Sequence, residues 1–113
     1  MKIILPDEKV ISWNILYAGR HWSTRQQEAR RVHALVKYAT LTKKRFKNPV
    51  AITITAYTKY PIDADNIMAK FYIDGLKERV LQQDDPRWVK SVTSRSQIDK
   101  NNIRVEIEIT ECN

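Results

Sequence analysis

Val50-Ala51-Ile52-Thr53-Ile54-Thr55-Ala56-Tyr57-Thr58, followed closely by Pro61-Ile62-Asp63-Ala64-Asp65-Asn66-Ile67-Met68-Ala69-Lys70, is the stretch on which the fold turns. Apolar residues alternate with Thr or Tyr over its first part, which predicts a strand buried on at least one face. The strand delivers the chain into a gathering of acidic residues in an otherwise basic protein. Asp63 and Asp65 are two apart, so in an extended segment their carboxylates point to the same side and repel. A hard divalent cation such as Mg²⁺ or Mn²⁺, which prefers carboxylate oxygens, would relieve that repulsion. Asp65 or Asn66 is also placed to cap a helix starting at Ile67, with Lys70 emerging one turn later near the same carboxylates. The competing reading is structural: a capped helix after a strand, Asp63 a turn residue and Lys70 a solvated partner.

Downstream, Ile67, Phe71, Leu76 and Val80, with Met68, Tyr72 and Ile73 alongside, predict a helix to about Leu81. Gly75 inside it marks a weak point or a close packing point. Asp74 stands four residues after Lys70, the spacing of an ion pair on a helix surface. Gln82-Gln83-Asp84-Asp85-Pro86-Arg87-Trp88 reads as a polar turn carrying a second acidic pair, and the next strand must carry the chain back for Asp85 to meet Asp63 and Asp65. Val89 to Arg95 reads as that strand. Asp99-Lys100-Asn101-Asn102 predicts a hairpin turn, and Ile103, Val105, Ile107 and Ile109 alternate with Arg104, Glu106, Glu108 and Thr110 as a final strand with one buried face.

Upstream, Lys2 to Leu5 is a short strand stopped by Pro6, with Asp7-Glu8-Lys9 a solvated turn and Val10-Ile11 resuming extended structure. Ser12 to Trp22 mixes aromatic and basic residues without a helical or strand period and reads as an irregular loop. Its rings can stack on bases while its cations hold phosphates, or Trp13, Tyr17 and Trp22 can close an edge of the core. Arg20, His21, Trp22 and Arg25 are candidate DNA contacts. Ser23 or Thr24 can cap the next helix, Gln27 completing a capping box. Ala29, Val32, Leu35, Val36 and Ala39 then form an apolar stripe over a helix from Arg25 to Thr40, with Arg30, Arg31 and Lys37 on the opposite face and His33 at the boundary. Lys43 to Pro49 is a basic connector ended by a turn signal. The order is β-α-β-α-β-β, an α+β fold with a mixed sheet covered by two helices.

A chain of 113 residues is one small domain. Its formal charge of +7 and pI near 9.7 suggest a polyanionic partner. The distribution sharpens this: from Arg20 to Lys47 there are nine basic residues against the single acid Glu28, and Arg30 and Arg31 join the candidate DNA contacts. The lone Cys112 cannot form an internal disulfide, which fits a reducing compartment. There is no apolar run of membrane-spanning length and no signal-peptide core, so the expectation is a cytoplasmic protein with no membrane partner.

The order Asp63-Ala64-Asp65-Asn66-Ile67-Met68-Ala69-Lys70, then Asp84-Asp85, then a strand resembles the RusA family of Holliday-junction resolvases. The likeness spans about Val50 to Glu111, and the loop Ser12-x-Asn14-x-x-Tyr17 is similar in kind. The resemblance implies a RusA-like fold and an endodeoxyribonuclease that cuts Holliday junctions in DNA recombination and repair. It implies that Asp63, Asp65 and Asp85 bind Mg²⁺ or Mn²⁺ and that Lys70 assists cleavage, with Asp84 the alternative to Asp85. It adds Asn14 and Tyr17 to the DNA contacts. A four-way junction is nearly two-fold symmetric and needs two cuts, so one site per chain implies a homodimer. Here Lys59-Tyr60-Pro61-Ile62 precedes Asp63, where the best-known members carry an arginine run. The rival reading is a non-catalytic branched-DNA-binding protein of the same fold. A nucleotide-sugar enzyme using D-x-D is disfavoured by the chain's length.

Overall fold

In the computed structural model residues 1–10, 22–83 and 85–112 are described. Asn14, Tyr17, Arg20, His21, the side chain of Trp22 and the whole of Asp84 lie outside that description, as does the expected aromatic loop. The elements run β1 (Lys2–Pro6), α1 (Trp22–Ala39), β2 (Val50–Thr58), a 3₁₀ turn (Ala64–Asn66), α2 (Ala69–Arg79), β3 (Val89–Ile98) and β4 (Arg104–Glu111). The fold is α+β, with one four-stranded mixed sheet and two helices. Strand β2 spans the alternating stretch of its sequence, Val50, Ile52, Ile54 and Ala56 being buried, with Thr55 buried as well.

The sheet order is β1-β4-β2-β3. Strands β1 and β4 are antiparallel, β4 and β2 are antiparallel, and β2 and β3 are parallel. The last pairing makes β2–α2–β3 a crossover, the connection that parallel neighbours require. One face of the sheet supplies Ile3 and Leu5, Val50, Ile52, Ile54 and Ala56, and Val105, Ile107 and Ile109 to the core. Against it pack Val32 and Val36 from α1 and Tyr72 and Leu76 from α2. Each of the valines, leucines and isoleucines among them contributes roughly 1.5–3 kcal/mol on burial. The residues between them, including Thr53, Thr55, Tyr57, Glu106 and Glu108, point to the other face, which the helices leave uncovered.

Four local expectations change. Helix α1 begins at Trp22, so Ser23 and Thr24 fall inside its first turn instead of capping it. Helix α2 begins at Ala69, with Met68 at its N-cap position and no side-chain cap; Ile67 and Met68 keep the apolar spacing but are buried in the approach to the helix. The turn after β3 is present, but the strands on its two sides are not partners. Strand β2 lies between β3 and β4, and the turn arches over its end, the Asp99 N–H donating to the Thr58 carbonyl at 2.9 Å. Glu8 is not solvated: it is only 5% exposed.

At Gly75 the two helices pack backbone to side chain at close range. A Cβ there would lie 2.8 Å from Val36 Cβ and 3.3 Å from the His33 carbonyl oxygen, distances that only a missing side chain permits. The basic connector is also partly structural. The Arg45 guanidinium donates to the carbonyls of Glu78 at 2.8 Å, Lys77 at 3.4 Å and Leu81, satisfying the open end of α2 and opposing its dipole. The Phe46 N–H donates to the Val80 carbonyl at 2.8 Å and fixes the same junction.

Candidate active site and cation surface

Asp63 and Asp65 stand on the crossover between β2 and α2. Asp63 has extended backbone and occupies the N-cap position of the 3₁₀ turn, yet its side chain makes no capping bond. The turn is closed by backbone, the Asn66 N–H donating to the Asp63 carbonyl at 2.9 Å and the Ile67 N–H to the Ala64 carbonyl at 3.3 Å. Both aspartates are exposed, and no described residue pairs with either carboxylate. The expected capping role of Asp65 or Asn66 is therefore absent, since the helix starts further on. Lys70 lies in the first turn of α2, largely exposed, with Nζ 3.6 Å from Oδ1 of Asp74. That is the expected i,i+4 pair, loose enough to release the ammonium.

Asp85 enters from the other end of the crossover, ahead of the first residue of β3. Its Oδ1 accepts from the Arg87 N–H at 2.9 Å and from Nε at 3.2 Å, and its Oδ2 accepts from an Arg87 terminal nitrogen at 2.9 Å. These bonds hold the Asp85 carboxyl below the usual carboxylate range. Its carbonyl accepts from the N–H groups of Trp88 and Val89, so Asp85 organises the turn into β3. Among the described residues no three His, Cys, Asp or Glu side chains come together as a metal-holding group. As placed, the described carboxylates do not complete a site for the Mg²⁺ or Mn²⁺ that the motif implies.

Beside Tyr60, Pro61 and Ile62, just ahead of Asp63, the surface folds into an apolar cavity of about 320 Å³, closed on the other side by Val10 and Ile103. Tyr60 is 70% exposed, with the Lys59 ammonium 5.6 Å from its ring centroid.

The candidate DNA-contact cations divide. Arg31 grips Glu8 bidentately at 2.8 and 3.2 Å and Glu28 at 2.5 and 3.1 Å, and these carboxylates raise its affinity for its proton. Its place on the wet face of α1 is real, but its charge is spent inside the fold. Arg25 is half-buried and already engaged. Arg30 is exposed and no described residue pairs with it. Lys37 and His33 both reach Glu78, at 3.5 and 3.2 Å. His33 is thus a helix-face residue as expected, and its imidazole helps to hold the Glu78 carboxyl below its ordinary range. Lys90 and Arg95 on β3 are further exposed cations with no described partner, marked in the sequence by the acid-free run from Pro86 to Ile98.

No helix among the described residues is long and apolar enough to cross a membrane. Comparison of the chain with known protein families and with curated proteins finds no match.

Proposed function

We propose that this protein is a structure-selective endodeoxyribonuclease acting on branched DNA, with Asp63, Asp65 and Lys70 at its site. The observation that carries the reading is the idleness of the two aspartates among the described residues: both are exposed, neither caps a described helix and neither pairs with a described cation, on a chain whose charge is +7. Exposed carboxylates without a described partner on so basic a chain fit a part in chemistry done there. The order of Asp63, Asp65, Lys70 and the Asp84-Asp85 turn, which is that of the RusA resolvases, points the same way. Lys70 would place a cation against a phosphoryl oxygen, where charge develops as a phosphodiester is cut, a role that needs a point charge and no fork. Resolution of a four-way junction calls for two such sites, and the active form in this reading is a homodimer.

A second reading, a non-catalytic branched-DNA-binding protein of this fold, is favoured by one specific observation. Asp85 is tied to Arg87, and the described carboxylates do not complete a metal-holding group.

Synthetic four-way, flap and linear duplex DNA, each incubated with the protein with and without Mg²⁺ or Mn²⁺, separates the two. Metal-dependent cutting of branched substrates supports the nuclease; binding without cutting under every condition supports the second reading.

A further inference from the structure

We propose that the outer strand β3 and the uncovered face beside it form the surface that tracks the nucleic-acid backbone, with Lys90 and Arg95 as its phosphate-holding cations. This rests on the reading of the protein as one that acts on DNA. Strand β3 is the last strand of the sheet, and over its ten residues no side chain is fully buried. Even its helix-side residues Val92 and Ile98 are 43% and 54% exposed, because the helices stop short of this edge.

The pairing with β2 fixes what each face presents. Ser91, Thr93, Arg95 and Gln97 stand beside Ala51, Thr53, Thr55 and Tyr57 on the uncovered face. There the exposed Ser91, Thr93, Arg95 and Gln97 offer hydroxyl, amide and guanidinium donors, the groups that hold phosphate oxygens without reading sequence. Lys90 is the extra residue where the register shifts between Val50 and Ala51; such a bulge re-aims a side chain.

Charge complementarity selects the occupant. Both cations are exposed, and no described residue pairs with either, whereas Arg31, Arg45, Arg87 and Arg104 are all held by carboxylates or carbonyls. The carboxylates of the uncovered face, Glu106 and Glu108, stand on β4 with β2 between them and β3. Glu106 is neutralised by Lys2 at 3.0 Å and Arg104 at 2.6 Å. An edge strand carrying two unpaired cations discourages pairing with a second copy of itself and suits a polyanion. The 3₁₀ turn that carries Asp65 packs against β3, so a backbone lying on this strand passes beside the candidate site.

The test is binding of a fluorescent four-way junction, without metal, over a salt series, with sedimentation to report assembly. Lys90→Glu/Arg95→Glu should keep its circular dichroism, weaken binding at least tenfold and lower the slope of log affinity against log salt by about two. Lys90→Gln/Arg95→Gln should lower the slope by about the same amount and weaken binding by less, since it removes the two contacts without adding repulsion. Unchanged affinity and slope in a wild-type background that binds would overturn the assignment. So would loss of a dimer with binding retained, which would make the edge an interface between copies. A wild-type protein that binds no DNA would overturn the functional reading itself.

Discussion

Glu8 and Tyr72, 64 residues apart in the chain, meet through a 2.9 Å hydrogen bond in which the phenol donates to Oε2 of the carboxylate. Arg31 takes the same carboxylate from the other side, so one buried acid ties the end of β1 to both helices. Burial first, and then the Glu8 charge and hydrogen bond, hold the Tyr72 phenol well above its ordinary range.

Because the folded state keeps this proton more tightly, the stability it contributes is complete below the unfolded value of about 10. It is lost as pH rises beyond that. Tyr72→Phe should cost about 1–3 kcal/mol at neutral pH and flatten the alkaline fall in stability, measured by urea unfolding between neutral pH and the alkaline limb.

Neighbouring arginines on α1 should behave oppositely. Arg31→Ala should lower stability by about 1–3 kcal/mol, since Glu8 is left buried without its charge partner. Arg30→Ala should stay within about 0.5 kcal/mol of wild type. If Arg30 touches a phosphate, its loss lowers the salt slope of DNA binding by about one. Paired unfolding and salt titrations read both.

Arg45→Ala should destabilise by about 1 kcal/mol through the uncapped end of α2, with DNA affinity changed little. A large loss of affinity in a fully stable Arg45→Ala protein would move this residue from the fold to the DNA surface.

Gly75→Ala should destabilise by about 1–3 kcal/mol although alanine gains roughly 1 kcal/mol in helix propensity. The added methyl meets Val36 Cβ at 2.8 Å. A more stable Gly75→Ala protein in thermal unfolding would show that the helices part freely there.

What could be read from the sequence was local. Strand β2, the strands around it and the paired Lys70 and Asp74 follow from periodicity over a few residues. The misreadings of Glu8, Arg31 and the turn at Asp99 were set by partners far along the chain. Glu8 looks solvated until Tyr72 and Arg31 are brought to it, and Arg31 looks free for the same reason. The turn at Asp99 carries the residues of a hairpin, but residues 99–102 say nothing of β2 slipping between β3 and β4. Ile67 and Met68 continue a helical spacing because the approach to α2 is buried on the same side as the helix. The spacing of Asp63 and Asp65 marks them in the sequence; that neither caps a helix follows from α2 beginning at Ala69.

The measurement closest to the central claim is the rate at which Asp65→Asn cuts a synthetic four-way junction with Mg²⁺ or Mn²⁺ supplied, beside its affinity for the same junction without metal. Asparagine keeps the size and removes one anion. The expected result is a folded protein that binds at least as tightly as wild type and cuts about 100-fold more slowly or worse. A folded Asp65→Asn protein that cuts at the wild-type rate would contradict it.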